Sequence, residues 1–531
     1  MRFLSSALSL SLSLILITTI ISQSEASFST ELFSNAADSS SFIRCLTKDS
    51  ASAPAGKFYY TREDANFSSV LQSYIRNLQF AKSTTPKPLA IVTPLSPVHV
   101  QATVSCAKAH SLQIRIRSGG HDYEGLSYVS QVPFVVLDLF NLSDIIIDLN
   151  TETAWVRAGA TLGELYYNIA QKSNVHAFPA GVCFTLGAGG HFTGGGYGNL
   201  MRKFGLSIDH IVDATIVDVN GRILNRKAMG EDLFWAIRGG GAASFGVVLS
   251  YKINLVRVPE IVTVFKVDKT LEQGAIKVVD QWQQLAAMDE LDQEIFIRIM
   301  LNANTTTATA SFYGMFLGDG ATLIRILASK FPLLGLKKEN CIETNWVKST
   351  MFWYGVPLNT SNDFLLQRIP SFSSYLKRKS DYVKNPIPLP GLKAITNKMI
   401  DQGGKVSMAF NPYGGRMAEI SPNATAFPHR AGNLWKIQYS ANWKNATDGD
   451  EYLDAMNDLY AFMTPYVSKN PREAFLNYRD IDIGTNDLGH RDFGYKYFTS
   501  NFQRLVQIKT AVDPGNFFKN EQSIPSSKLN N

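Results

Sequence analysis

Arg117-Ser118-Gly119-Gly120-His121-Asp122-Tyr123-Glu124-Gly125 and Gly181-Val182-Cys183-Phe184-Thr185-Leu186-Gly187-Ala188-Gly189-Gly190-His191 are two glycine-rich runs, each carrying one nucleophilic side chain. Glycine has no Cβ, so such runs let backbone N–H groups approach a pyrophosphate closely. A histidine and a cysteine at their edges are then candidates for bonding one and the same bound cofactor. Arg117, Ser118, Gly119 and Gly120 in the first run, and Gly187, Gly189, Gly190 and His191 in the second, are the expected cofactor contacts. A third cluster, Arg238-Gly239-Gly240-Gly241-Ala242-Ala243-Ser244-Phe245-Gly246, is suited to wrap the cofactor from another side, with Gly246 among its contacts. None of the clusters has glycines at the first, third and sixth positions after a strand, which argues against the dinucleotide fold of that spacing. The lysine-bearing phosphate loop of nucleoside triphosphatases is absent, and the 8 histidines show no spacing of the H-E-x-x-H kind. No metal site is expected.

Outward from these loops, residues 48–259 alternate β-rich runs at 88–93, 113–117, 134–138, 153–158 and 213–219 with helical spacing at 96–110 and 161–172. Thr161 and Glu164 form a plausible capping box for the second helix. Beyond Pro259 the pattern changes to long alternating runs at 261–267, 295–301 and 308–317, separated by helices at 271–288 and 320–331. The expected organisation is a leader at 1–26, a cofactor-binding domain at 27–260 and a substrate-facing domain at 261–465. A segment at 466–520 would return to the first domain, and 521–531 would form a solvated tail.

The chain has 531 residues, 45% hydrophobic and 18% charged, with a net charge of +6. That is ordinary for two or three globular domains. Lysine and arginine are scattered apart from short clusters such as Lys377-Arg378-Lys379, which gives nucleic-acid binding no support. Arg2, a Leu/Ile/Ser-rich stretch at 3–21 and the small-x-small site ending at Ala26 read as a secretory signal. The alternative, an uncleaved anchor, is opposed by the interleaved serines. Sequons at Asn66, Asn141, Asn304, Asn359, Asn423 and Asn445 suit passage through the secretory pathway, and with it glycosylation. Cys45 and Cys106 are able to close a loop worth about 4 kcal/mol in the chain-entropy model. Cys183 either pairs with Cys341 or bonds something else.

Four motifs in order resemble the plant berberine bridge enzyme family, of the vanillyl-alcohol oxidase superfamily. They are Arg117 to Gly125, Gly181 to Gly198, Asn411-Pro412-Tyr413-Gly414-Gly415 and Asn477-Tyr478-Arg479-Asp480. The resemblance covers nearly the whole mature chain. It implies an α+β fold: a two-part FAD-binding domain of the vanillyl-alcohol oxidase type, and a substrate domain with an antiparallel sheet backed by helices. It also implies FAD attached covalently through His121, to the ring's 8-methyl carbon, and Cys183, to its C6. Gly195 and Asn516 join the expected cofactor contacts. A Cys45–Cys106 disulfide and a free, buried Cys341 are implied as well. Two attachments raise a flavin's potential, and for a two-electron couple about 30 mV is worth 1.4 kcal/mol.

Alcohol oxidation needs a base beside the flavin, and Tyr478 is the first candidate. A phenol titrates near ~10 and so needs cations nearby, for which Lys436 and Arg479 are available. Lys436 and Gln438 lie two apart in a strand-like run and project from one face. Tyr197 has the same claim by resemblance, to steer the substrate or share its proton. Glu419 is the rival base, since it stands where alkaloid-oxidising relatives carry a catalytic glutamate. Leu186 matches the family position that gates oxygen, where a branched side chain larger than valine implies a dehydrogenase.

These readings converge on a secreted, glycosylated FAD oxidoreductase of apoplast, cell wall or vacuole. The expected reaction is oxidation of a primary aromatic allylic alcohol such as a monolignol. Alternatives are an oligosaccharide oxidase or dehydrogenase and an oxidative or non-oxidative cyclase of plant metabolites. A small-molecule substrate and a monomer, with no membrane anchor after signal cleavage, complete the expectation.

Overall fold

Three short apolar runs pair in parallel: Ala90–Val92, Phe134–Asp138 and Gln113–Arg117, with Tyr59–Thr61 antiparallel on the outer edge. The computed structural model describes residues 39–287, 291–369, 373–486 and 492–527, so the leader expected at 1–26 lies outside the described residues. All five residues of Phe134–Asp138 are buried, as a parallel strand covered on both faces requires. The helix Pro97–Ala109, with proline in its first turn, links two of these strands. The Cys45–Cys106 disulfide, Cα atoms 5.8 Å apart, ties it to the helix Ser39–Asp49.

A second sheet is antiparallel, in the order Ile145–Asp148, Thr153–Arg157, Val247–Asn254, Ile211–Val217, Ile223–Leu224. The helix Leu162–Lys172 opens with a capping box. Thr161 Oγ1 accepts from the Glu164 N–H at 3.2 Å, and the Glu164 carboxylate accepts from the Thr161 N–H at 2.8 Å.

The third sheet has seven antiparallel strands: Cys341–Thr344, Val262–Thr270, Ala308–Phe316, Ile295–Ala303, Val406–Pro412, Trp435–Trp443 and Tyr375–Val383. Alternation sorts its side chains. Trp435, Ile437 and Tyr439 join Ile295, Ile297 and Ile299 in a core shared with the helices Ala275–Ala287, Leu389–Asp401 and Gly449–Phe462. Lys436, Gln438 and Arg298 therefore fall on the opposite face. Asn411 pairs in register with Lys436, and Phe410 with Ile299, which brings Arg298, Asn411 and Lys436 together. Lys436 is fully buried there.

Two expectations are corrected. The chain from Glu521 to Ser526 is packed rather than solvated: Glu521 pairs with the buried Arg115 at 2.7 Å, and Ile524 and Ser526 are buried. Cys341 is free but only half-buried, on an edge strand. The Lys377-Arg378-Lys379 cluster also proves structural. Lys377 reaches Glu124 at 2.6 Å and Asp480 at 2.9 Å, and Lys379 reaches Asp480 at 3.0 Å and Asp482 at 2.6 Å. These buried pairs clamp the loop after Tyr478 to the large sheet and to the first glycine run. Burial pushes the Glu124 carboxyl up to about 7 against the pull of Lys377.

Candidate active site

The two glycine runs meet backbone to backbone. A Cβ on Gly119 would stand 2.3 Å from the Gly187 nitrogen, and one on Gly187 would stand 2.1 Å from Ser118 Oγ, so only glycine permits the approach. Beside them lies a cavity of about 400 Å³, walled by both runs, by Gly241 to Ser244 and Gly246, and by Arg298, Gln438 and the stretch Phe475 to Arg479. Ser118, Gly119, Gly120, His121, Cys183, Leu186, Gly187, Gly189, Gly190 and His191 all line it. A Cβ on Gly190 would meet no atom within 4 Å, so the room next to that backbone belongs to the cavity. A cavity of this volume lined by bare glycine backbone, with a neutral imidazole and a cysteine on its wall, fits a flavin dinucleotide.

His121 and Cys183 face this cavity from different loops, and both touch Thr185. His121 Nε2 lies 2.9 Å from Thr185 Oγ1, and Cys183 Sγ lies 3.7 Å from it. Burial and the nearby Arg76 guanidinium hold the His121 pKa well below its usual value, which keeps the ring neutral and nucleophilic. His191 is neutral too, held at about 3 by burial, and its Nε2 accepts from the Gly181 N–H at 3.0 Å.

Tyr197 and Tyr478, which line the same cavity, are hydrogen-bonded hydroxyl to hydroxyl. Lys436 Nζ sits 3.3 Å from the ring centroid of Tyr197, 3.5 Å from that of Phe475 and 4.6 Å from that of Tyr478. It has no hydrogen-bond partner among the described residues, so its contacts are ring faces. Burial and the Arg298 charge press its pKa well below the usual lysine value. Arg298 Nε donates to Asn411 Oδ1 at 2.6 Å, and the Tyr197 hydroxyl lies 3.5 Å from the same oxygen. Gln438 Nε2 donates to the Tyr123 hydroxyl at 3.2 Å. Asn477 fixes the loop bearing Tyr197, accepting from the Gly196 N–H at 3.1 Å and donating to the Gly190 carbonyl at 3.2 Å.

Six expectations are corrected. Arg117 does not reach the cavity: its buried guanidinium pairs with Asp138 at 2.7 Å and donates to the Leu71 and Val70 carbonyls. Gly195 and Asn516 do not line the cavity. Gly195, at φ +131°, gives the Tyr197 loop its turn, and Asn516 sits in a turn capped by Asp513. Glu419 is half-exposed on a surface turn, paired with Arg416 at 2.8 Å, which holds its carboxyl below the usual range. That is the reverse of a poised base. Tyr478 is not a depressed phenol: burial raises its pKa well above the usual value, as do Tyr197 and Tyr123, with Arg298 opposing. Arg479 is turned to Asp122 at 3.7 Å and the Gln522 carbonyl, and Arg298 is the cation that opposes the rise at Tyr478.

Sequence reasoning missed Arg298, Thr185 and Arg76. Arg298 did carry a signal, a lone charge inside the apolar run 295–301. Thr185 carried none beyond its place in a glycine run.

Residues 88–226 match the family described as "FAD binding domain" and residues 474–525 that described as "Berberine and berberine like". Berberine bridge enzyme-like 14 of Arabidopsis thaliana is 55% identical over 495 residues, 91% of this chain and 93% of its own. Among solved structures, BBE-like #28 from Arabidopsis thaliana superposes with a TM-score of 0.86 at 43% identity, covering 92% of this chain and 99% of that one. Phl p 4, a grass pollen allergen with glucose dehydrogenase activity, superposes with a TM-score of 0.87 at 42% identity, covering 91% and 99%. Likeness of this degree over nearly the full length leaves one conclusion: the chain belongs to the plant berberine bridge enzyme-like family of FAD-linked oxidoreductases.

Proposed function

We propose that the protein oxidises the primary alcohol of an aromatic allylic alcohol, a monolignol such as coniferyl alcohol, with FAD held covalently by His121 and Cys183. The observation that carries this reading is the buried phenol pair on the cavity wall, hydroxyl to hydroxyl, with the Lys436 amine against its ring faces. Bound FAD supplies a two-electron acceptor for the hydride of the carbinol carbon. The chain's own residues manage the proton. In its deprotonated form the Tyr197–Tyr478 pair accepts the carbinol proton at one phenol oxygen, while the other phenol steadies that oxygen by a hydrogen bond. Gln438 and Tyr123 offer polar anchors, and Tyr123, Phe475 and Tyr478 offer apolar walls for a planar substrate. Attachment through both side chains is supported by their place on one cavity and by a His121 ring whose Nε2 is engaged, which leaves Nδ1 for bonding.

A second reading, sugar oxidation, is favoured by the glucose dehydrogenase activity of Phl p 4. Anaerobic bleaching of the yellow absorbance decides between them. Coniferyl alcohol is expected to bleach it fast; bleaching by cello- or galacturonide oligosaccharides alone would move the protein to the second reading. If no alcohol bleaches it, ring closure without net oxidation gains.

Glu419→Gln is expected to leave the bleaching rate unchanged, since that carboxylate lies outside the cavity. A clear rate loss on steady-state assay would return it to the chemistry. Leu186 lines the cavity with a full isobutyl side chain, which supports slow reaction of the reduced protein with oxygen. Leu186→Val is expected to speed stopped-flow reoxidation severalfold, and reoxidation of the unaltered protein at an oxidase's pace would overturn the dehydrogenase reading. Secretion is supported by the disulfide and by six sequon asparagines that are all exposed. Protein recovered from culture medium should gain gel mobility on deglycosylation.

A further inference from the structure

Both candidate tethers converge on a side chain that neither the glycine pattern nor the family resemblance singles out. Thr185 is 1% exposed, and its Oγ1 lies 2.9 Å from His121 Nε2 and 3.7 Å from Cys183 Sγ. The Arg76 guanidinium donates to the same oxygen. A hydroxyl has one hydrogen to give and two lone pairs to offer. Arginine only donates, so Arg76 takes one lone pair. Two arrangements satisfy the other partners. In the first, the hydroxyl gives its hydrogen to Nε2 and the thiol donates to the oxygen; the imidazole proton is then on Nδ1 and the sulfur keeps its own. In the second, Nε2–H donates to the oxygen and the hydroxyl gives its hydrogen to a sulfur without a proton, so Nδ1 presents a lone pair. Mixed arrangements ask the oxygen for a third lone pair or a second hydrogen, or turn the thiol hydrogen away from the oxygen and leave it without an acceptor among the described residues. The nucleophilic forms of histidine and cysteine therefore arise together.

We propose that Thr185, oriented by Arg76, is the positioning residue that readies His121 and Cys183 for attachment as a coupled pair. The proposal rests on the bicovalent reading above. Each attachment exchanges one C–H bond of the cofactor for a C–N or C–S bond. Nδ1 or the sulfur brings the electron pair, and the carbon's hydrogen leaves as a proton. The two electrons released pass to dioxygen, which takes up that proton and the one shed by the nucleophile and departs as hydrogen peroxide. Thr185 forms no bond to the cofactor in this scheme. It sets which atom of each nucleophile carries hydrogen.

The test uses the full chain, unaltered and as Thr185→Val, Thr185→Ser and Arg76→Met. The readouts are the flavin-bearing fractions of the His121 and Cys183 peptides by mass spectrometry, and the yellow colour kept by the acid pellet. In the unaltered protein both peptides carry flavin; if neither does, the bicovalent reading itself fails and this proposal falls with it. Thr185→Val keeps the side chain's shape and is expected to lower both fractions by about tenfold or more, the scale on which second-layer contacts act. Thr185→Ser, which restores the hydroxyl, is expected to restore both. Arg76→Met frees a lone pair, so the two fractions are expected to diverge; this variant decides the matter if Thr185→Val does not fold. Full occupancy of both peptides in Thr185→Val, loss of only one of them there, or equal full occupancy in Arg76→Met would overturn the proposal.

Discussion

Tyr197→Phe and Tyr478→Phe are each expected to slow anaerobic bleaching by substrate by roughly 10²- to 10⁴-fold, the usual range for a general base. The double variant should be scarcely slower than either single one. The two hydroxyls are hydrogen-bonded partners, so one phenol oxygen receives the proton and the other stabilises it there. Stopped-flow bleaching at saturating coniferyl alcohol measures the effect, and thermal unfolding of the same samples separates it from a folding defect. Losses of only a few fold in both single variants, or losses that multiply in the double one, would show the phenols acting apart.

Lys436→Met is expected to lower the same rate constant by roughly 10²- to 10³-fold with little change in KM. The ammonium and a phenolate are each costly to bury alone, and each offsets the other's charge. At an effective dielectric of about 20, opposite charges about 4 Å apart attract by about 4 kcal/mol, which corresponds to some three decades in rate. Lys436 has three ring faces as neighbours and no hydrogen-bond partner among the described residues, so its amine is free to take up a proton and face an anion formed on the phenol pair. Its lowered pKa has the same origin, because burial disfavours the ammonium until an anion forms beside it. Met keeps the volume and removes the charge. Lys436→Arg, with a planar head too large for the space between the rings, is not expected to rescue.

How far the sequence could be read depended on whether partners were near in the chain. The glycine runs were legible because the constraint is local: backbone approach demands glycine wherever it occurs. The strand face of Lys436 and Gln438 was legible because alternation is a local rule, and the same periodicity marked strands and helices beyond Pro259, while their antiparallel arrangement was implied by the family resemblance. Arg117 was misread because an arginine beside a glycine run looks like a phosphate ligand. The parallel register that sets Arg117 opposite Asp138 was not visible in the sequence. The tail was misread for the same reason, since Glu521 finds Arg115 across most of the chain.

The chemistry was legible as a set of residue types and less so as an arrangement. Tyr478 and Lys436 were expected together, but the cation was expected to hold the phenol acidic. In the folded chain burial dominates, and the phenol is pushed the other way. Position on the cavity wall, which only tertiary structure gives, separated Tyr478 from its rival Glu419. Thr185 and Arg76 join the site from segments far apart in sequence, and no local pattern marks them.

The most direct test is the pH dependence of anaerobic bleaching by coniferyl alcohol, measured on the unaltered protein and on Lys436→Met. The folded Tyr478 phenol titrates above its usual value, so the base form grows as pH rises, and the rate constant should climb with pH across the alkaline range. With no amine beside it to take up a proton and balance its charge, the phenolate is harder to form, so in Lys436→Met the climb should shift to higher pH with the plateau approached later. Profiles that superimpose, or a rate indifferent to pH in both proteins, would contradict a phenol pair charged by Lys436 as the proton acceptor.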